Sequence, residues 1–156
     1  MQEKTLSINY QEYACMEELS SEDREVLEHA IAATSTSHSP YSHFRVGAAL
    51  KLEDGTIETG SNQENVAYPS GLCAERTVMF GTAARHPDVA FHTLAIAARG
   101  PQGTLTAASP CGACLQVMAE YENKFSRPLR IIMYAEGGKI FIFHGAKSLI
   151  PFAFSM

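Results

Sequence analysis

The chain has no tryptophan, only four cysteines, and only 12 lysines and arginines in 156 residues. It has no apolar run near the roughly 20 residues needed to span a bilayer. Its opening, MQEKTLSINYQEYACMEELS, lacks the apolar core of a secretory signal. These absences make the cytosol the expected compartment, with no membrane partner. Disulfides are rare there, so the cysteines read as metal ligands, redox groups or core residues. Against the few basic residues stand 17 Asp and Glu, for a net charge of −5. A mildly acidic chain repels phosphate backbones, which disfavours a polynucleotide partner and favours a small neutral or cationic substrate. What is present is an ordinary globular composition, 46% hydrophobic and 19% charged, rich enough to bury a core and far from that of a disordered chain. At this length a single domain over residues 1–156 is expected.

Local patterns give the element order. Residues 4–10 alternate weakly and read as a short edge strand. A helix opens at Ser20 or Ser21, with acidic residues in its first turn favouring the positive end of the dipole. Val26, Leu27, Ala30 and Ile31 recur at helical spacing and mark its buried face. The helix ends before Pro40, whose ring disfavours helical geometry in the preceding residue. Val46, Ala48 and Leu50 alternate on a strand, Asp54-Gly55 supplies a turn, and residues 56–59 begin the return. A helix over 73–85 follows, then an apolar strand over 91–99. A second such helix starts at Cys111 or Gly112 and runs to Asn123. Strands over 129–135 and 139–145 flank Glu136-Gly137-Gly138. The alternation predicts an α/β fold, a three-layer α/β/α sandwich around a mixed sheet of about five strands.

Two short stretches carry chemistry: CAER at 73–76 and PCGAC at 110–114. Cys15, alone near the start, reads as a core residue. Cys111 and Cys114 by themselves suit either a metal or a redox pair. Adding Cys73 changes the weighing, because three thiolates fill three corners of a zinc tetrahedron at about 2.3 Å and leave the fourth open. A structural site normally has four protein ligands, and none stands at short spacing from Cys73. Helix starts stabilise thiolates through unpaired N–H groups and the dipole. Three thiolates on a dication leave one net negative charge, which Arg76 can offset while remaining charged at any relevant pH. Glu75 is placed to take up a proton beside the open corner and return it. A zinc-stabilised binding module would instead need a fourth protein ligand and no role for Glu75. A thiol-disulfide oxidoreductase would need neither Cys73 nor zinc. Taken singly, Glu75 is an ordinary dipole partner and each cysteine ordinary packing; the joint order favours an open hydrolytic site.

That order, Cys73-Ala74-Glu75 followed by Pro110-Cys111-Gly112-Ala113-Cys114, resembles the signature of the zinc-dependent cytidine deaminase family. PYSHFRVGAAL (40–50), GSNQENVAYPSGLCAER (60–76), SPCGACLQV (109–117) and SLIPFAF (148–154) resemble its small, homotetrameric, nucleoside-level members. The resemblance covers roughly residues 21–154 and leaves 1–20 as an N-terminal addition. It implies one Zn²⁺ per subunit on Cys73, Cys111 and Cys114, with Glu75 as the proton shuttle. It also implies Asn62 and Glu64 as ribose-binding groups, Phe44 as the ring that stacks on the base, and Ala74 as a backbone contact to the base. Phe154 would reach into a neighbouring subunit, making a homotetramer with shared sites. The implied reaction is hydrolytic deamination of cytidine and 2′-deoxycytidine to the uridine nucleosides plus ammonia, in pyrimidine salvage. The anion Glu64 favours free nucleosides over nucleotides. The nearest enzymatic rival is another aminopyrimidine nucleoside such as blasticidin S, against which FRVGAAL and NQEN weigh. One departure is Leu115, where many relatives have Arg, which leaves more charge compensation to Arg76. The six histidines read as surface or core residues.

Overall fold

The computed structural model describes residues 1–155. Among them the elements run β1 (Gln11–Tyr13), α1 (Ser21–Ala33), β2 (Arg45–Leu52), β3 (Ile57–Ser61), α2 (Ala74–Arg85), β4 (Phe91–Arg99), β5 (Leu105–Thr106), α3 (Gly112–Phe125), β6 (Arg130–Tyr134) and β7 (Ile140–His144). They build one sheet in the order β1-β7-β6-β4-β2-β3, with β5 alongside the end of β4. The β4–β6 pair is parallel, and α3 lies on its crossover; the other pairs are antiparallel. The five expected strands form the body of the sheet, and β1 and β5 are short additions.

Side-chain alternation sorts the helices onto opposite faces. On β2 and β4, Leu50, Leu52, Leu94 and Ile96 pack with Val78 and Met79 of α2 and Met118 of α3. The alternate residues Ala49, Ala95 and Ala97 pack with Val26, Leu27 and Ala30 of α1. This is the period of two that places successive strand residues on opposite faces. Fully buried side chains such as Leu27, Leu50, Met79, Leu94 and Met118 each contribute about 1.5–3 kcal/mol. Alanines on the α1 face let that helix come close, and Gly47 shows how close: a Cβ there would collide with the Ala30 carbonyl oxygen and lie 2.6 Å from the Thr34 nitrogen. Ser20 caps α1 by accepting from the Asp23 N–H at 3.2 Å. Ile31 sits at the margin of the core, only partly buried. Gly55, at φ 89°, makes the β2–β3 turn in the left-handed region. Among the described residues no helix is long and apolar enough to cross a membrane.

Two expectations need correction. The N-terminal strand forms at residues 11–13, not 4–10, pairing with β7 from Gln11↔Ile142 to Tyr13↔Ile140. Its position follows from contacts that local alternation does not encode. The Tyr10 ring lies 5.1 Å from Phe141 and 5.3 Å from Phe143, and Lys139 Nζ meets Glu12 Oε1 at 2.5 Å. Cys15 is not a core residue; it is half-buried at the start of a single 3-10 turn, Met16–Glu18.

Candidate metal centre and substrate cavity

Cys73 and Cys111 are the N-cap residues of α2 and α3, both in extended backbone geometry, and neither sulfur is spent on capping. Cys114 is buried in the first turn of α3. The Sγ of Cys111 lies 3.8 Å from that of Cys73 and 3.5 Å from that of Cys114. All three ligand atoms fall within 4.8 Å of one another. Tetrahedral zinc with Zn–S near 2.3 Å sets sulfurs about 3.8 Å apart, so the cluster has the size of one zinc ion. No other His, Cys, Asp or Glu joins it among the described residues, leaving a corner without a protein ligand.

The protonation of the cluster argues for the same occupant. Hydrogen bonding with Cys114, helped by Arg76 and Cys111, pulls the Cys73 thiol down to about 5 against the opposing effect of burial. The same bond, burial and the neighbouring Glu75 charge push Cys114 upward. Three sulfurs this close do not all ionise unaided; a dication supplies the missing charge and displaces the protons. Arg76 contributes from the side, with Nη2 3.9 Å from Cys73 Sγ. Its Nε is buried and has no partner among the described residues. Leu115 packs against the apolar core of the α2–α3 face and brings no cation to the thiolates.

Beside the sulfurs, Glu75 is only 3% exposed. Burial, reinforced by the Cys73 charge, raises its carboxyl to about 7, so it can hold or release a proton near neutrality. Glu75, Cys73 and Cys111 open into a cavity of about 840 Å³ whose wall includes Phe44, Asn62 and Glu64. That volume falls in the usual range for small-molecule sites.

The structure thus brings Phe44, Asn62, Glu64, Cys73, Glu75, Arg76 and Cys111 around one space, with Cys114 behind it. The Asn62 amide clamps the entry to β2: its Oδ1 accepts from Val46 N–H at 2.8 Å and Ser37 Oγ at 2.5 Å, and its Nδ2 donates to the Phe44 carbonyl at 2.9 Å. Glu64 accepts from the N–H groups of Tyr41 at 2.9 Å and Ser42 at 3.3 Å, and from the Ser42 hydroxyl. Those bonds, the Ser42 hydroxyl foremost, hold its carboxyl below the usual range. Ala74 is fully buried and its side chain is not part of the cavity wall. Phe154 lies off this cavity, 73% exposed, with its backbone clasped by Gln116: Phe154 N–H donates to Oε1 at 3.0 Å and Nε2 donates to the Phe154 carbonyl at 2.9 Å. Sequence reasoning passed over Ser37 and Ser42; the only available signal was the place of Ser42 within PYSHFRVGAAL and of Ser37 shortly before it. It also missed Tyr41 and Tyr68, whose rings pack 6.1 Å apart on the cavity wall.

A layered α/β frame, three sulfurs of zinc size at two helix starts, and a buried carboxylate beside them define a zinc-dependent deaminase domain. Residues 20–126 match the family model described as the cytidine and deoxycytidylate deaminase zinc-binding region. The chain belongs to that family. It is 48% identical over 93 residues to a cytidine deaminase of Sporosarcina psychrophila, a match covering 58% of this chain and 63% of that protein. It is 43% identical over 101 residues to a cytidine deaminase of Halalkalibacterium halodurans, covering 63% and 71%. The solved cytidine deaminase of Burkholderia pseudomallei superposes with a TM-score of 0.71 at 34% identity, over 83% of this chain and 97% of that one. That of Mycobacterium tuberculosis gives 0.66 at 30%, over 85% and 96%.

Proposed function

We propose that the protein hydrolyses cytidine and 2′-deoxycytidine to uridine and 2′-deoxyuridine, releasing ammonia. The observation that carries this reading is the cluster of three sulfurs at tetrahedral spacing, opening into the same cavity as buried Glu75. The relatives named above as cytidine deaminases support the choice of base. When bound, zinc supplies the Lewis acidity that makes water nucleophilic near neutral pH.

The chain's own groups do the rest. Glu75 takes the proton from the attacking water and delivers it to ring N3, drawing electron density from C4. It then takes the second proton from the hydroxyl now on C4 and passes it to the amino group, which leaves as ammonia as the C4 carbonyl forms, so one water is consumed per nucleoside. Its burial, which raises the carboxyl, suits it to take up a proton as well as release one. Phe44 offers a ring face to the pyrimidine, Asn62 and Glu64 face the sugar, and the Ala74 backbone lies against the base. Arg76 holds the thiolate charge in place. Glu64, an anion on the cavity wall, disfavours a 5′-phosphate, so free nucleosides are the substrates. We assign the protein to pyrimidine salvage in the cytosol. In the proposed homotetramer, exposed Phe154 enters a neighbouring copy's cavity; Val66, Tyr68 and Phe152, at 80%, 77% and 92% exposure, are apolar surface of the kind such contacts cover.

The test is conversion of cytidine, followed by the fall in its absorbance and by ammonia release, in the unaltered protein and in Glu75→Gln. The amide keeps the shape but cannot take up or release a proton near neutrality, so turnover should fall by at least 10²- to 10⁴-fold while zinc stays stoichiometric. Near-normal turnover in the variant contradicts the role of Glu75. An inert unaltered protein with full zinc contradicts the proposed reaction.

A further inference from the structure

We infer that Ser42 is a positioning residue that sets the sugar specificity of the cavity, by leaving Glu64 a single acceptor site for one nucleoside hydroxyl. The inference rests on the proposed nucleoside reaction and goes beyond it, because Ser42 itself need not touch the substrate.

Counting lone pairs leads there. An ionised carboxylate offers about four acceptor positions. On Glu64, Oε2 accepts from two backbone N–H groups, those of Tyr41 and Ser42. Oε1 accepts from the Ser42 hydroxyl. One position is left, on Oε1. The Ser42 hydroxyl has one hydrogen and spends it on Glu64, while its oxygen accepts from the Phe44 N–H at 3.0 Å. Ser42 therefore links the sugar-facing carboxylate to the backbone of the base-facing ring.

The segment between them needs that link. His43 has φ 55°, in the left-handed region that a residue with a side chain adopts at a cost. The turn is held by His43 N–H donating to Ser39 O at 3.1 Å, by the Ser42 bonds and, at its far end, by Asn62. Asn62 is equally committed: its oxygen takes two donors and its amide nitrogen gives one hydrogen to Phe44 O. It can donate its remaining hydrogen to a sugar oxygen but has no lone pair left to receive one. The pair is asymmetric by construction, one remaining donor and one remaining acceptor, which matches a hydroxyl and an ether or second hydroxyl oxygen. Removing the Ser42 hydroxyl frees a second acceptor position on Glu64 and loosens its orientation. Removal also leaves the Phe44 N–H without its acceptor.

The test uses Ser42→Ala and Ser42→Thr in the full chain, zinc-loaded and checked for an unchanged melting temperature within 3 °C. Three quantities are read: KM and kcat for cytidine, and the inhibition constant of 2′,3′-dideoxycytidine, which lacks the 2′- and 3′-hydroxyls. Ser42→Ala should raise KM for cytidine about tenfold, the size of one charge-assisted hydrogen bond, with kcat within twofold. The dideoxy inhibition constant should stay within twofold, and Ser42→Thr should restore KM. A general loosening of the cavity would weaken both ligands alike, and that result overturns the inference, as does an unchanged KM for cytidine. Failure of Thr to restore KM overturns it too. If the unaltered protein leaves cytidine unconverted, the proposed reaction falls and this inference with it. A normal unaltered protein whose Ala variant loses both ligands equally removes the inference alone.

Discussion

Glu122 offers a sharp test of how α3 is anchored. It lies near the end of that helix, is 8% exposed, and its Oε1 accepts the N–H of Leu129 at 2.8 Å and of Ala146 at 2.7 Å. Both donors are themselves buried. One oxygen thus ties the helix carrying Cys114 to the entry of β6 and to the turn after β7. Gly145, at φ 98°, turns the chain into Ala146 through the left-handed region that glycine adopts without strain. Replacing Glu122 with Ala leaves two buried donors unpaired, at about 1–3 kcal/mol each, for a loss of about 4 kcal/mol. Gln keeps an oxygen in the same place and should lose about 1 kcal/mol or less. Against a total stability of about 5–15 kcal/mol, the Ala variant approaches the unfolding threshold and the Gln variant does not. Urea unfolding of the three proteins, with equal slopes, measures the difference. An Ala variant within about 1 kcal/mol of the unaltered protein would refute the reasoning, because the two donors would then need no partner.

Two further outcomes are expected. Asp23 receives Arg130 Nε and Nη2 on its two oxygens, both at 2.8 Å; burial alone would raise its carboxyl, but the Arg130 bonds and charge outweigh that and lower it. A lowered carboxyl gives stability that is full above the unfolded value near 3.9 and is lost as pH falls through the lower folded value. Asp23→Asn should therefore cost about 2 kcal/mol at pH 7 and much less at pH 3, as read from unfolding midpoints; an equal cost at both would contradict the pairing. Arg76→Gln removes the cation beside Cys73 and should weaken zinc binding by about 10- to 100-fold, measured by competition with a coloured chelator; unchanged affinity would mean the thiolate charge is offset elsewhere.

The zinc cluster was legible because its signal is local: Cys73 and Cys111 sit where helices begin, and Glu75 and Cys114 lie within one turn of them. The sheet was legible where strands carry their own pattern, as β2 and β4 do. Misreadings occur where structure depends on distant partners. The N-terminal strand is positioned by Phe141 and Phe143 across the sheet, so alternation at 4–10 misplaced it. Strand β5 is two residues long and exists only because the end of β4 offers Ala98 and Arg99. Nothing in the local sequence marks Glu122, whose role depends on the N–H groups of residues 129 and 146, 7 and 24 positions further along the chain. Asn62 and Glu64 were marked as sugar ligands, yet most of their bonding capacity holds the turn before β2. Short serines and acids in loops have no periodicity, so such clasps emerge only in three dimensions.

The account stands on one zinc ion held by Cys73, Cys111 and Cys114 with a fourth position free for chemistry. X-ray absorption at the zinc edge, on protein purified without chelator, reads that shell directly. Three sulfurs at about 2.3 Å and one lighter atom, at one zinc per chain, is the result expected. Four protein ligands, or stable folded protein that takes up no zinc, would contradict it.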